Sequence, residues 1–128
     1  MCGKLTEVRT DNAPAPVGPY SQAIEAGGMI FCSGQIPLDP ATGQMVGKTA
    51  GEQTVQIIAN MKAVLTAAGA RLDQIVKTTI FLTNLGDFNE VNTVYEKLLG
   101  GHKPARSTIE VSKLPKGALV EIECIAIR

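Results

Sequence analysis

The stretch VEIECIAI, Val120 to Ile127, constrains the fold more than any other. Val120, Ile122, Cys124 and Ala126 alternate with Glu121, Glu123, Ile125 and Ile127. In a strand, successive side chains point to opposite faces, so each set occupies one face of a sheet. The first set is apolar and suits a face covered by helices. The second mixes two carboxylates with two isoleucines, and a face open to water has no use for both isoleucines. The chain is therefore expected to build a sheet with two burial surfaces. Another copy of the same chain is the simplest cover for the second.

The rest of the sequence supplies that sheet. "YSQAIEA" and "MIFCSG" flank Gly27-Gly28 as a hairpin, and "IVKTTIFL" is rich in β-branched residues. "RSTIEV" leads through the turn-like "SKLPKG" to the last strand, and Leu5 to Val8 offers a first one. Two segments have a helical period. In one, Thr49 and Glu52 have capping-box spacing, Ile57, Ile58, Met61, Val64 and Leu65 form an apolar side, Gln53, Gln56 and Asn60 fall on another, and Gly69 is the stop. The other runs from about Asp87 to Leu99 after a cap at Asn84, with Phe88, Val91, Tyr95 and Leu98 as its stripe and Asn92 beside it. The order βββαβαββ predicts an α+β fold, a single mixed sheet with two helices on one face. With no repeat, low-complexity run or linker, residues 1–128 read as one domain. In "RSTIEV", Ile109 and Val111 look like the inward residues, which sends Arg106, Thr108 and Glu110 to the other face.

Composition removes several classes of function. Lys+Arg and Asp+Glu are 12 each, so the zero net charge speaks against general binding to nucleic acid. Tyr20, Tyr95, Phe31, Phe81 and Phe88 are few for stacking on bases. Cys2, Cys32 and Cys124 show no C-x-x-C spacing, which predicts reduced thiols rather than a disulfide framework or zinc. "MCGKLTEVRTD" lacks the apolar core of a secretory leader, and no stretch approaches the roughly 20 apolar residues of a membrane span. A cytoplasmic protein is the expectation. "GQMVGKT" imitates a phosphate loop, but Thr42 stands where the first glycine is needed, so it reads as a loop entering a helix cap. His102 in "GGHKP" is the only histidine and reads as a surface loop residue. No metal, cofactor or covalent nucleophile is therefore expected.

What remains is Arg106, Glu121, Glu123 and Tyr20, with the glycine turn Ser33-Gly34. A guanidinium grips a carboxylate through two parallel hydrogen bonds. A carboxylate side chain holds and polarises water. Backbone N–H groups at a glycine turn stabilise developing negative charge. The same residues also suit a buried ion pair between Arg106 and Glu121 or Glu123. Chemistry alone leaves both readings open.

"GPYSQAI", "FCSGQIPLDPATG", "NMKAVLTAAGA", "IVKTTIFLTNLGDFNEVNTVYEKLL" and "PARSTIEVSKLPKGALVEIECIAI" resemble, in order, the Rid family of reactive intermediate deaminases, also called YjgF. The likeness is to the RidA subgroup and runs from about residue 8 to the C-terminus. It implies a fold like that of trimeric chorismate mutase, with sites at subunit clefts. It also implies cofactor-independent hydrolysis of enamines and imines, such as 2-aminoacrylate (2-iminopropanoate) and 2-iminobutanoate, to 2-oxo acids and ammonia. Carried over by motif, Arg106 of "PARS" clamps the substrate carboxylate and Glu121 of "EIE" positions water. Tyr20 of "GPY", Ser33 and Gly34 of "SGQ", Asn92 of "VN", and Thr108 bind substrate. Two departures bear on substrate preference: Lys103 where members often have Phe, and Thr108 where some have Cys. A small imine, enamine or 2-oxo acid, further copies in a homotrimer, and no membrane are the implied partners. RNA cleavage or translation inhibition, reported for some relatives, and non-catalytic binding of 2-oxo acids stand as alternatives.

Overall fold

Six strands form one mixed sheet in the order β1-β2-β3-β6-β4-β5 in the computed structural model, which describes residues 3–128. The thiol expected at Cys2 lies outside the described residues. The strands are β1 (Thr6–Val8), β2 (Ala23–Ala26), β3 (Met29–Gln35), β4 (Ile75–Leu82), β5 (Ala105–Glu110) and β6 (Val120–Ile127), with helices α1 (Ala50–Ala67) and α2 (Phe88–Leu98). This is the α+β arrangement expected, in the order expected.

Local chemistry explains each turn of the path. Gly27 and Gly28 both take positive φ, 58° and 79°, which a tight hairpin between β2 and β3 requires. The start of α1 is a full capping box: Glu52 N donates to Thr49 Oγ1 at 3.1 Å, and Glu52 Oε1 accepts from Thr49 N at 3.2 Å. The "GKT" segment is thus a helix cap, as its spacing predicts. β4 and β5 are parallel and joined through α2, the crossover that parallel strands need.

Val120, Ile122, Cys124 and Ala126 are 0–3% exposed and pack beneath Ile57, Met61, Val64 and Leu65 of α1. The polar side of α1 is not a solvent side. Gln53 and Asn60 are buried, and their amides pin loops: Gln53 Oε1 accepts from Leu119 N at 2.8 Å, and Asn60 Nδ2 donates to Leu38 O at 2.9 Å. Cys32 and Cys124 face each other across β3 and β6 as buried free thiols. Their mutual hydrogen bond, then burial, push the Cys124 thiol well above its ordinary range. No helix among the described residues is long and apolar enough to cross a membrane.

One expectation is reversed at β5. Arg106 pairs in register with Thr78, and Thr108 with Ile80, both of which are fully buried on the helix-covered side. Arg106, Thr108 and Glu110 therefore share the helix side. Ile109 is 44% exposed on the open face, opposite Phe81. The outward face that Ile109 joins carries Phe31, Phe81, Ile125 and Ile127 as well as the carboxylates of Glu121 and Glu123.

Candidate active site

Two cavities carry the residues singled out from the sequence, and they lie on opposite sides of the sheet. The first, of about 470 Å³, includes Tyr20, Ser33, Gly34, Glu121 and Glu123 in its lining. β3 departs from regular pairing with β6 between Cys32 and Gln35, so Ser33 and Gly34 form an irregularity. The Glu121 carboxylate lies across it. A Cβ on Gly34 would stand 2.9 Å from Glu121 Cδ and 3.1 Å from its Cγ, so any side chain there displaces the carboxylate. Ser33 stitches the neighbouring loop down: its Oγ donates to Ser21 O at 2.6 Å and its N to Gln22 O at 3.0 Å. Tyr20 sits in that loop, and its hydroxyl accepts from Val17 N at 3.3 Å.

Glu121 is half-buried. Burial first, then the nearby Glu123 carboxylate, push its carboxyl above the usual range. Among the described residues, no Lys or Arg nitrogen lies within 4.0 Å of either carboxylate. The Arg106–Glu ion pair is not formed within this chain. The Glu121 carboxyl, so raised, holds a proton more readily than an ordinary one.

The second cavity, of about 380 Å³, is lined in part by Asn92, Tyr95, His102, Lys103 and Arg106. The guanidinium carbon of Arg106 stands 5.1 Å from the Tyr95 ring centroid and 5.5 Å from that of Phe88. Two aromatic faces thus steady the cation, while among the described residues no carboxylate is within 4.0 Å of it. Tyr95 is fixed in turn by a 2.7 Å hydrogen bond between its hydroxyl and that of Thr78, and burial raises its pKa. Thr108 follows Arg106 on the same side of β5, and its Oγ1 is buried with no partner. The open side of the guanidinium faces the cavity, whereas Thr108 is not part of the cavity lining.

His102 is less free than a surface loop residue should be. Its Nε2–H donates to Ile75 O at 2.7 Å, which ties the 101–104 loop to β4. Among the described residues no three His, Cys, Asp or Glu side chains cluster as metal ligands would. Sequence reasoning missed Phe88 and Tyr95 as the cradle of Arg106. The signal was present: Phe88, Asn92 and Tyr95 recur at i, i+4 and i+7, one face of α2.

The expected site residues thus fall into two sets. Tyr20, Ser33, Gly34 and Glu121 come together in one cavity, Arg106 and Asn92 come together in the other, and Thr108 shares their side of the sheet without lining that cavity. Register partners share a face, and Glu121 pairs with Phe81 on the open face while Arg106 pairs with the buried Thr78. One chain cannot bring the two sets to one ligand.

Comparison with known proteins sharpens this picture. The family model described as Endoribonuclease L-PSP matches residues 10–128. A RutC family protein of Pyrococcus horikoshii is 50% identical over 119 residues, covering 93% of this chain and 94% of that protein. The 2-iminobutanoate/2-iminopropanoate deaminase of Escherichia coli is 47% identical over 124 residues, covering 94% and 96%. The crystal structure of E. coli TdcF with bound serine superposes with a TM-score of 0.91 at 40% identity, covering 96% of this chain and 98% of that one. With its mixed sheet, its two helices and its ordered motifs, this chain belongs to the Endoribonuclease L-PSP family, the Rid/YjgF proteins.

Proposed function

We propose that the chain hydrolyses reactive 2-imino acids, and the enamines that precede them, to 2-oxo acids and ammonia in the cytoplasm. The observation that carries this reading is the pairing of an unopposed, ring-cradled Arg106 with a proton-hungry Glu121. Relatives named as 2-iminobutanoate/2-iminopropanoate deaminases, and a relative holding serine, agree with a small ligand bearing a carboxylate. Arg106 takes that carboxylate in a two-pronged grip. Asn92 lines the same cavity, and Thr108 lies on the same side of the sheet. Glu121 orients water against the imine carbon and relays its two protons in turn to nitrogen, the first on addition and the second as the C–N bond breaks. The new C–O bond replaces the C–N bond, and ammonia leaves. Positioning and one proton relay suffice because the imine carbon is already electrophilic.

Since the two residue sets face apart, each working cleft takes Arg106 from one copy and Glu121 from the next, in a closed homotrimer. The apolar open face is what those copies bury. Ile127, 47% exposed in a single chain, gains roughly 1 kcal/mol on full burial, about half the worth of burying such a side chain from water. Ile127→Glu is therefore expected to shift sedimentation from trimer to monomer and to lose activity in step. An active wild-type monomer at micromolar concentration would remove this part of the reading.

The direct test is the lifetime of 2-aminoacrylate generated in place by a serine dehydratase. The protein should shorten it; an unchanged lifetime at stoichiometric protein counts against deamination. Within that assay, Gly34→Ala should reduce turnover by about 100-fold, since displacing a reacting group by about an ångström costs that much. Gly34 does not need positive φ, so the variant should melt much like wild type.

A further inference from the structure

We propose that Gln22 is a positioning residue for the Glu121 cleft: its buried amide straps the segment from Thr10 to Pro14, so that the loop through Tyr20 is held over the carboxylate. The side chain is 2% exposed. Nε2 donates towards Pro14 O at 2.9 Å, Thr10 O at 3.0 Å and Ala13 O at 3.3 Å, and Oε1 accepts from Thr10 N at 2.8 Å. Two N–H groups serving three carbonyls means one is shared. Glutamine is the uncharged side chain long enough to supply both donors and an acceptor at this reach.

The backbone of the same residue completes the link. Gln22 O accepts from Ser33 N, and the adjacent Ser21 O accepts from Ser33 Oγ, at the irregularity where Gly34 makes room for Glu121. Gln22 thus joins three parts: the chain leaving β1, the loop bearing Tyr20, and the seat of the carboxylate. Residues 14–20 have little else to hold them. They contain Pro14, Pro16 and Pro19, lie in no strand, and among the described residues have as their own bonds only Tyr20 N to Gly18 O at 2.9 Å and Val17 N to the Tyr20 hydroxyl. Yet Pro14, Ala15, Val17 and Tyr20 form one wall of the cavity. With its amide bonds gone, that wall has no fixed distance from Glu121.

The inference rests on the deaminase reading for its kinetic readout only. Gln22→Met keeps length and apolar bulk and removes every side-chain bond. It should raise KM for the imine, and Kd for 2-oxobutanoate by calorimetry, about tenfold, the loss of roughly one net hydrogen bond. Turnover per folded site should change little, and amide exchange over residues 10–20 should speed up. Gln22→Glu keeps the acceptor and loses the donors at pH 8; its carboxyl regains one donor on protonation, so its Kd relative to wild type should recover towards pH 5. That variant also serves if Gln22→Met does not fold, with amide exchange read beside Kd: faster exchange at pH 8 confined to residues 10–20 supports the strap, and faster exchange across the whole core, the mark of a buried charge that merely disturbs packing, refutes it. Unchanged Kd with unchanged exchange, or a fall in kcat at constant KM, overturns the assignment. If wild type neither hydrolyses imines nor binds 2-oxobutanoate, the deaminase reading fails. The exchange measurement then decides the strap by itself: faster exchange over 10–20 in the variant supports it, and equal exchange refutes it.

Discussion

Arg106→Ala is expected to lower kcat/KM for imine hydrolysis by about a hundredfold or more. Each charge-assisted bond to the substrate carboxylate is worth about 1.5–3 kcal/mol, and each 1.36 kcal/mol is about tenfold in rate. Among the described residues the guanidinium ion-pairs with nothing, so its removal should cost the fold little. Arg106→Lys should fail as well. The Tyr95 and Phe88 rings cradle a planar cation, and an ammonium cannot offer two parallel N–H groups from that place. Steady-state kinetics on folded variants decides the matter, and near-normal turnover by the alanine variant would end the clamp role.

Glu121→Gln should slow hydrolysis by about 10²–10⁴, the usual worth of a positioned acid–base group, while 2-oxobutanoate still binds. Its stability should move the other way. A carboxyl raised by folding is disfavoured as its charged form, so its cost is absent below the ordinary carboxylate range and grows as pH rises through the raised value. The amide variant should thus match wild-type melting at low pH and equal or exceed it above neutrality. Glu123→Gln removes the second cause of the raised pKa and should move the acid limb of the pH–rate profile downward with a smaller loss of rate. Should Glu123→Gln be the more damaging, the roles within "EIE" are reversed.

Much of the fold was legible because its signals are local. The Gly27-Gly28 hairpin, the Thr49–Glu52 capping box and the alternation of β6 each depend on residues a few positions apart. What alternation does not contain is which of two sets faces the helices. In β5 the apolar Ile109 was the natural inward choice, yet the crossover through α2 sets the register with β4 and turns Arg106 inward. The apolar open face that β6 had already implied was the missing clue. Likewise, helical period separates Gln53 and Asn60 from the apolar stripe but cannot tell a solvated amide from one that holds a loop. Elimination left Arg106, Glu121, Glu123, Tyr20 and Ser33-Gly34 as candidates, and the family motifs added Thr108 and the expected role of each. That Arg106 and Glu121 point apart comes from register, a long-range property no motif spells out.

The opposed facing of those two side chains has a consequence for inheritance. When a cleft is assembled from two copies, a chain with a damaged guanidinium spoils the site whose other wall belongs to its neighbour, so harm spreads beyond the faulty copy. The converse also holds. In a closed ring that mixes chains lacking the guanidinium with chains lacking the carboxylate, a sound wall from each kind meets once. Two alleles that are each inert alone can therefore restore each other when made in the same cell.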